Sequence, residues 1–374
     1  MSTRGKKLRE GFTTGTAAAA AAKAALTALF DCQWPSAVTI PFLSRGEVTI
    51  PVHSLSKETD TTAVCTVRKD AGDDPDVTHR AEIGARVTIL ENQGKDSEAV
   101  TIRGGRGVGR VTKPGLEIPP GRAAINPGPC KMIRQAVGEV LQRFHRPSAS
   151  VRVEVFVPRG EEMAARTLNA RLGIVGGISI LGTTGIERPM SHEAYVATIH
   201  SALSVARACG QRTVVMTTGR RSERHAQNLL PDLSEEAFVQ MGDFFQEGLQ
   251  SASETGVDTI VIVAFFGKAL KMARRVPQTH ASRSAMNLTD LSRWALESGF
   301  SKKTADAILS ANTARHAFDI ILQEGCQELI AVVGQRVKSA AEVFVGGRAA
   351  VRVLLLDYDG KTAFDSRLSK PQAV

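Results

Sequence analysis

The sequence lacks most of the signatures that would declare a chemistry outright. Its five cysteines, Cys32, Cys65, Cys130, Cys209 and Cys326, are odd in number, far apart and form no C-x-x-C pair. That spacing supports neither a disulfide framework nor a zinc knuckle. The eight histidines are scattered with no H-E-x-x-H, so no protein-bound metal is expected. Aromatic residues are only 5% of the chain, with two Trp and two Tyr, too few to build stacking platforms for single-stranded nucleic acid. No apolar run approaches the roughly 18 residues that span a bilayer. The basic start "MSTRGKKLREG" leads into threonine and alanine and not into a signal-peptide core. A cytoplasmic chain with no membrane partner is therefore expected. There is no G-x-G-x-x-G, and "DGKT" at Asp359 to Thr362 lacks the upstream glycine of a phosphate-binding P-loop.

What is present starts with length and charge. A chain of 374 residues suggests two domains, because single cores stop growing below about 300 residues. The hydrophobic fraction of 43% and charged fraction of 23% are ordinary for a globular protein. The net charge of +9 favours an anionic partner, whether nucleic acid, lipid or a small molecule with many carboxylates or phosphates. The cations are dispersed and form no polybasic tail.

Period-2 alternation dominates the first part of the chain. "AVTIPF" and "EVTIPV" joined by "LSRG" read as a hairpin, and "TTAVCTVRK", "ARVTILEN", "EAVTIRGG" and "GRVTK" continue the pattern. A helix fits Lys131 to Phe144, with Met132, Ile133, Ala136, Val137, Val140, Leu141 and Phe144 in one apolar stripe. "VRVEVFVP" closes this half as a strand. Residues 1–165 are thus expected to form an α+β domain with antiparallel hairpins. After that, "RTVVMTTG", "DTIVIVAFFG", "ELIAVVG" and "AAVRVLLLDYDG" read as continuous apolar strands. Helical stretches such as Ser191 to Cys209 and Ser234 to Ser253 separate them. This alternation predicts, for residues 166–374, a three-layer α/β domain of Rossmann-like type with a mostly parallel sheet. Ligands in such sheets bind beyond the carboxyl ends of the strands. That rule points to Thr217-Thr218-Gly219, Phe266-Gly267-Lys268 and Asp357-Tyr358-Asp359.

Several segments could carry chemistry. Thr-Thr-Gly occurs at Thr13 to Gly15, Thr183 to Gly185 and Thr217 to Gly219, each at a helix or strand junction where unpaired backbone N–H groups can meet a ligand. Helix capping by threonine is the plainer reading of any one of them. "RLGIVGGISILGTTGIERPMS" is glycine-rich around an apolar centre, which suits close ligand approach or an interdomain linker. "KDAGDDPDVTH" gathers Asp70, Asp73, Asp74 and Asp76 beside His79, for acid–base work or as a polar turn. "GGRGVGRVTKPGL" and "FFGKALKMARRVPQTH" offer cations, including Lys113, Lys268 and Lys271, to a polyanion. A nucleotide-dependent phosphoryl-transfer enzyme fits glycine-rich loops with lysines, and would bind ATP with magnesium. A basic nucleic-acid-binding protein fits the charge alone, and would bind with strong salt dependence.

The stretches "GFTTGTAAAAAAKAAL", "KDAGDDPDVTH", "GVGRVTKPGL", "AINPGPCKMI", "TLNARLGIVGGISILGTTGIERPMS" and "GKALKMA…TH" together resemble the CbiD family, the cobalt-precorrin-5B C1-methyltransferases of corrin-ring biosynthesis. They occur in the family's order between residues 11 and 280; the C-terminal region is less distinctive. The chain departs from the family pattern at Ala17, where Cys is usual, at Arg80, where Gly is usual, at Asn169-Ala170-Arg171, and at Cys130, where Arg is common. The resemblance implies methyl transfer from S-adenosylmethionine to carbon 1 of a polycarboxylate corrinoid small molecule, with any cobalt belonging to the substrate. It implies neither a nucleic-acid partner nor a membrane, and leaves homo-oligomerisation open. Gly182, Thr183, Thr184, Gly185, Thr217, Thr218 and Gly219 are assigned to the methyl donor. Thr13, Thr14, Lys113, Lys268 and His280 are assigned to the macrocycle, and Asp70 and His79 to proton handling or orientation. The N-terminal domain is expected to hold the macrocycle and the C-terminal domain the donor.

Overall fold

The computed structural model describes residues 8–90, 99–281 and 288–368. The chain divides into two units, residues 1–191 and 192–374. The first unit opens with a two-residue strand β1 (Gly11–Phe12) and the helix α1 (Thr14–Phe30). Strands β2 (Ala37–Pro41), β3 (Glu47–Thr59), β4 (Thr62–Arg68), β5 (Glu82–Leu90) and β6 (Val100–Gly104) follow. After the short strands β7 (Gly107–Val108) and β8 (Arg110–Val111) come α2 (Pro127–Arg143), β9 (Ser150–Phe156) and the single turn α3 (Gly160–Ala164). The unit closes with β10 (Ile174–Val175), β11 (Gly177–Ile178) and β12 (Ile186–Glu187).

A six-stranded sheet in the order β2-β3-β4-β5-β9-β6 carries this unit. All neighbours are antiparallel except β6 and β9. The expected hairpin is there, with Val38 opposite Ile50 and Pro41 opposite Glu47. Alternation puts Ala63, Cys65 and Val67 of β4, Ile83, Ala85 and Val87 of β5, and Val151, Val153 and Val155 of β9 into one core with α1 and α2. The α2 stripe matches the expected one, but the helix starts four residues before Lys131, at Pro127. Proline lacks only an N–H that the first turn leaves unpaired anyway, so it opens a helix readily.

The alanine run is core. Ala17 to Ala22 are all fully buried, and α1 packs on α2 and on β2 to β5. A helix enclosed all round needs a surface that is apolar in every direction. Alanine supplies this with the smallest side chain that favours a helix, so the neighbouring backbones can come close.

The sequence pattern puts residues 166–191 at the start of the second domain. They belong instead to the first unit, because their short strands pair inside it. β12 pairs with β1, β10 with β8 and β11 with β7, and Ile180 bridges to Ile125.

The second unit runs α4 (His192–Ala208), β13 (Thr213–Thr217), α5 (Arg220–Leu229), β14 (Phe238–Gln240), α6 (Phe245–Glu254), β15 (Thr259–Phe265) and α7 (Phe266–Ala273). Then come α8 (Thr289–Glu297), α9 (Lys302–Leu309), α10 (Ala314–Gln323), α11 (Glu328–Val345), β16 (Ala350–Leu356) and β17 (Thr362–Asp365). The sheet order is β14-β13-β15-β16-β17, parallel throughout except for β17. Both faces are covered. Val214, Met216, Ile260, Ile262, Val353 and Leu355 enter one apolar cluster, while Val215, Val261, Val263, Leu354 and Leu356 enter another.

Two sequence expectations fail in this unit. "ELIAVVG" is the start of α11 and not a strand. Its buried residues continue past Gly334 at helical spacing, through Val337, Ala340, Ala341 and Val345, and a short apolar run does not reveal that period. Ser234 to Ser253 is not one helix either: β14 occupies Phe238–Gln240, and α6 begins only at Phe245. Among the described residues no helix is long and apolar enough to cross a membrane.

The packing of α1 yields a direct test. Ala21→Leu adds volume to a position with no free space and is expected to cost about 1–3 kcal/mol in urea unfolding. Unchanged stability would show that the helix tolerates bulk.

Candidate functional site

In the first unit, three of the peculiar sequence stretches meet around the start of α1. Thr13 caps the helix, its Oγ1 accepting from Thr16 N at 3.3 Å. Thr13 N and Thr16 Oγ1 both donate to Gly185 O, at 3.0 and 2.8 Å, and Gly15 N donates to Leu181 O at 3.1 Å. Thr14 Oγ1 accepts from Leu181 N at 2.9 Å. The threonines therefore clamp the turn at residues 181–185 from below. Gly182 is required there: its φ is 135°, and a Cβ would stand 2.3 Å from Thr13 Oγ1. Thr13 and Thr14 are each only 4% exposed and spend their hydroxyls inside the unit, while Leu181, Thr183 and Thr184 are exposed. Ala17 is fully buried, so a side chain at that position faces the core.

Beneath the same segment lies an ion cluster. Lys69 is 1% exposed, pairs with Asp76, and lies 3.3 Å from Glu187 Oε2. Asp76 also accepts from the Thr78 hydroxyl and backbone N–H. Burial pushes the Asp76 carboxyl up, but the Lys69 charge and the hydrogen bonds from Lys69 and Thr78 outweigh it and hold the group below its usual range. For Glu187 burial prevails over Lys69, and the nearby Asp76 charge adds to it, so this carboxyl sits above its usual range. One lysine thus serves two carboxyls whose surroundings move them in opposite directions, Asp76 down and Glu187 up.

Asp70 and His79 are adjacent to this cluster. Asp70 is held at a pKa of about 2, chiefly by hydrogen bonds from the Arg9 guanidinium, one of them 2.8 Å long. Asp70 O also accepts from Phe12 N at 2.8 Å, which ties the loop to β1. His79 Nδ1 accepts from Ala71 N at 3.2 Å and lies 3.9 Å from Asp70 Oδ1. Arg80, where the resembling family has glycine, holds a left-handed φ of 62°, a conformation that costs a side-chain-bearing residue. Lys113 lies elsewhere in the unit, packed over Gly173 with Nζ 3.4 Å from Arg171 O.

In the second unit the strand ends gather as the sequence suggested. Gly219, between β13 and α5, has φ 146° and ψ −179°, a region open essentially to glycine alone, and no atom lies within 4 Å of where its Cβ would be. The first turn of α5 has no side-chain cap. Thr218 N donates to Ser222 Oγ at 3.0 Å, which fixes the turn. Arg221 bonds Tyr358 O and lies 4.6 Å from the Phe265 ring centre, and a Cβ on Gly267 would lie 3.4 Å from the Tyr358 hydroxyl. The Tyr358 phenol is pushed up to about 12, chiefly by burial.

A second group surrounds Asp243, which no motif in the sequence marks. Lys268 Nζ lies 2.8 Å from Asp243 Oδ1, and Thr279 Oγ1 donates to the same oxygen at 2.7 Å. Burial raises the Asp243 carboxyl, but the bonds from Lys268 and Thr279 together bring it below its usual value. Lys271 donates to Thr279 O at 2.9 Å, and burial lowers its pKa. His280 is exposed and close enough to Asp243 to act on it electrostatically. The expected donor set is thus divided: Gly182, Thr183, Thr184 and Gly185 lie in the first unit, and Thr217, Thr218 and Gly219 in the second. Lys69, Glu187 and Asp243 were not singled out from sequence. The first two lie inside quoted motifs, but their pairing across 118 residues has no local signal.

Lys69→Met leaves two partly buried carboxylates facing each other and is expected to cost about 3 kcal/mol in urea unfolding. Glu187→Gln acts in the opposite sense. A raised folded pKa favours folding below the unfolded value of 4.5 and opposes it once pH rises through the folded value. The variant should therefore match the wild type at low pH and exceed its stability at neutral pH; a less stable variant at neutral pH would contradict the burial argument. Arg80→Gly is expected to gain about 1 kcal/mol by relieving the left-handed backbone.

The family model CbiD matches residues 1–189, and the model described as CbiD, C-terminal domain, matches residues 278–367. A protein of Geobacillus kaustophilus named cobalt-precorrin-5B C(1)-methyltransferase is 45% identical over 358 residues, covering 95% of this chain and 94% of its own. Proteins of the same name from Nitratidesulfovibrio vulgaris and Thermus thermophilus are each 43% identical. They cover 94% and 95% of this chain, and 91% and 93% of their own length. The crystal structure of a cobalamin biosynthesis protein (cbiD) from Archaeoglobus fulgidus is 29% identical, covering 71% of this chain and 79% of its own, with a TM-score of 0.39. On the family models and on relatives matched over nearly its whole length, the chain belongs to the CbiD family.

Proposed function

We propose that this chain methylates carbon 1 of cobalt-precorrin-5B, using S-adenosylmethionine as the methyl donor. The relatives' shared name supports the reaction, since they match the chain almost end to end. The observation that carries the donor assignment is the strand order of the second unit. In the order β14-β13-β15-β16, the chain moves one way from β13 to β14 and then crosses back past β13 to β15, so the carboxyl ends of β13 and β15 flank a topological switch point. Apolar clusters on both faces support a Rossmann-like three-layer reading, and Gly219 keeps the backbone at the switch point free of side-chain bulk. We assign Thr217, Thr218 and Gly219 to the donor.

The macrocycle is assigned to the first unit. There the rigid clamp of Thr13 and Thr14 presents Leu181, Thr183 and Thr184 on an exposed turn of Gly182 to Gly185. In this reading Thr13 and Thr14 position the turn and do not touch ligand. Asp70 and His79 orient the adjoining loop, and Glu187 is the group suited to hold or release a proton. Lys113 supplies positive potential to a substrate bearing many carboxylates, while Lys268 and His280 belong to the Asp243 group of the second unit. The donor's sulfonium is already activated, so the chain has to provide alignment and placed electrostatics and needs no nucleophile. The Cys65 thiol, pushed up to about 12 by burial, is not one.

Calorimetry with S-adenosylhomocysteine tests the donor assignment. The wild type should bind, Gly219→Ala should weaken binding about tenfold (about 1.4 kcal/mol), and Thr184→Ala should leave it unchanged. Binding of ATP with magnesium in place of S-adenosylhomocysteine, or indifference to Gly219→Ala, would overturn it.

A further inference from the structure

A cavity of about 460 Å³ lies in the second unit, at the far end of α7 from Phe266-Gly267-Lys268. At the usual rise of about 1.5 Å per residue, that places it about 12 Å along the helix axis. Its walls carry Arg274 and Arg275 after α7, Arg293 and Trp294 on α8, and Arg336 on α11. Asp290 is the one carboxylate in the wall. It lies 2.7 Å from Arg274 Nε and 2.8 Å from Arg293 Nη2. Arg336 lies 2.8 Å from Glu297 and 4.8 Å from the centre of the Trp294 ring.

Four guanidiniums thus line the recess with one carboxylate, Asp290, while Glu297, outside the lining, pairs with Arg336 and lies 3.8 Å from Arg293 Nη1. Arg275 makes no ion pair among the described residues and holds a left-handed φ of 55°. Trp294, only 3% exposed, has an indole N–H with no acceptor. Fixed like charges around a recess repel one another unless a counter-charge is present, and guanidiniums pair with carboxylate or phosphate oxygens in a two-point geometry. The volume falls within the range of small-molecule sites, roughly 300–1,000 Å³.

We propose that this cavity is a binding site for a small molecule carrying two or more oxyanion groups, separate from the strand-end crevice. Arg275 supplies the uncompensated charge, and the other three arginines, already held by Asp290 and Glu297, form a preorganised cationic wall. Carboxylates and phosphates share this chemistry. The site does not depend on the methyl-transfer reading, and its failure would leave that reading standing.

The protein has only two tryptophans, and Trp34 lies in the first unit, so Trp34→Phe leaves Trp294 as the sole tryptophan reporter. Pyrophosphate and citrate are titrated separately into this variant at constant ionic strength, with potassium chloride as control. A saturable change in Trp294 emission is expected with at least one of them, and which one responds identifies the phosphate or the carboxylate source. Arg275→Asn removes the charge while keeping a residue that accepts a left-handed backbone, and should weaken that binding about tenfold, the effect of about 1.4 kcal/mol. Responses no different from those of potassium chloride, or binding unaltered by Arg275→Asn, would overturn the proposal.

Discussion

The first unit depends on one constraint, the burial of α1 from Thr14 to Ala22. The helix packs against α2 and β2 to β5, and its first turn, Thr14 to Ala17, is itself buried. That turn is committed through Thr13, Gly15 and Thr16 to the carbonyls of Leu181 and Gly185. Residues 181–185 are therefore held by the core itself, although they lie more than 160 positions away in the chain. The pairing of β1 with β12 then brings Glu187 beside Lys69. The ion cluster, the exposed threonines and the unit boundary after residue 191 all follow from where α1 begins.

Electrostatics in this unit depend on how burial and local hydrogen bonds balance at each carboxyl. Lys69 serves two carboxyls that differ in how much else supports them. Asp76 has Thr78 on two of its contacts and stays a firm anion; Glu187 lacks that help and is raised by burial. Asp70, nearer to solvent, is an anchor for Arg9 and the β1 loop. Neighbouring acids in one loop thus take different roles because their surroundings differ.

The legible parts of the sequence were those with a local period or a local stop. The β2–β3 hairpin, the α2 stripe, the valines of β9 and the strands β13, β15 and β16 each carry their pattern within a few residues. Start and end points were harder: α2 begins with Pro127, and the prolines that open it interrupt the apolar period. "ELIAVVG" misled because seven residues cannot separate a buried strand from the first turns of a helix. The strand β14 was hidden inside an apparent helix because it spans three residues and exists only by pairing with β13. The site followed the same rule. The three Thr-Thr-Gly segments were visible as words, but not that the first holds the second, nor that Lys69 meets Glu187 or Lys268 meets Asp243. Arg80 stands out only once its φ is known.

The proposed methyl-donor site lies at the carboxyl ends of β13 and β15, beside Gly219, whose backbone conformation favours glycine. A crystal structure of the protein with S-adenosylhomocysteine tests that claim most directly. Ligand density is expected against Thr217, Thr218 and Gly219, in contact with the first turn of α5. Density seated elsewhere, with the Gly219 segment bare, would contradict it.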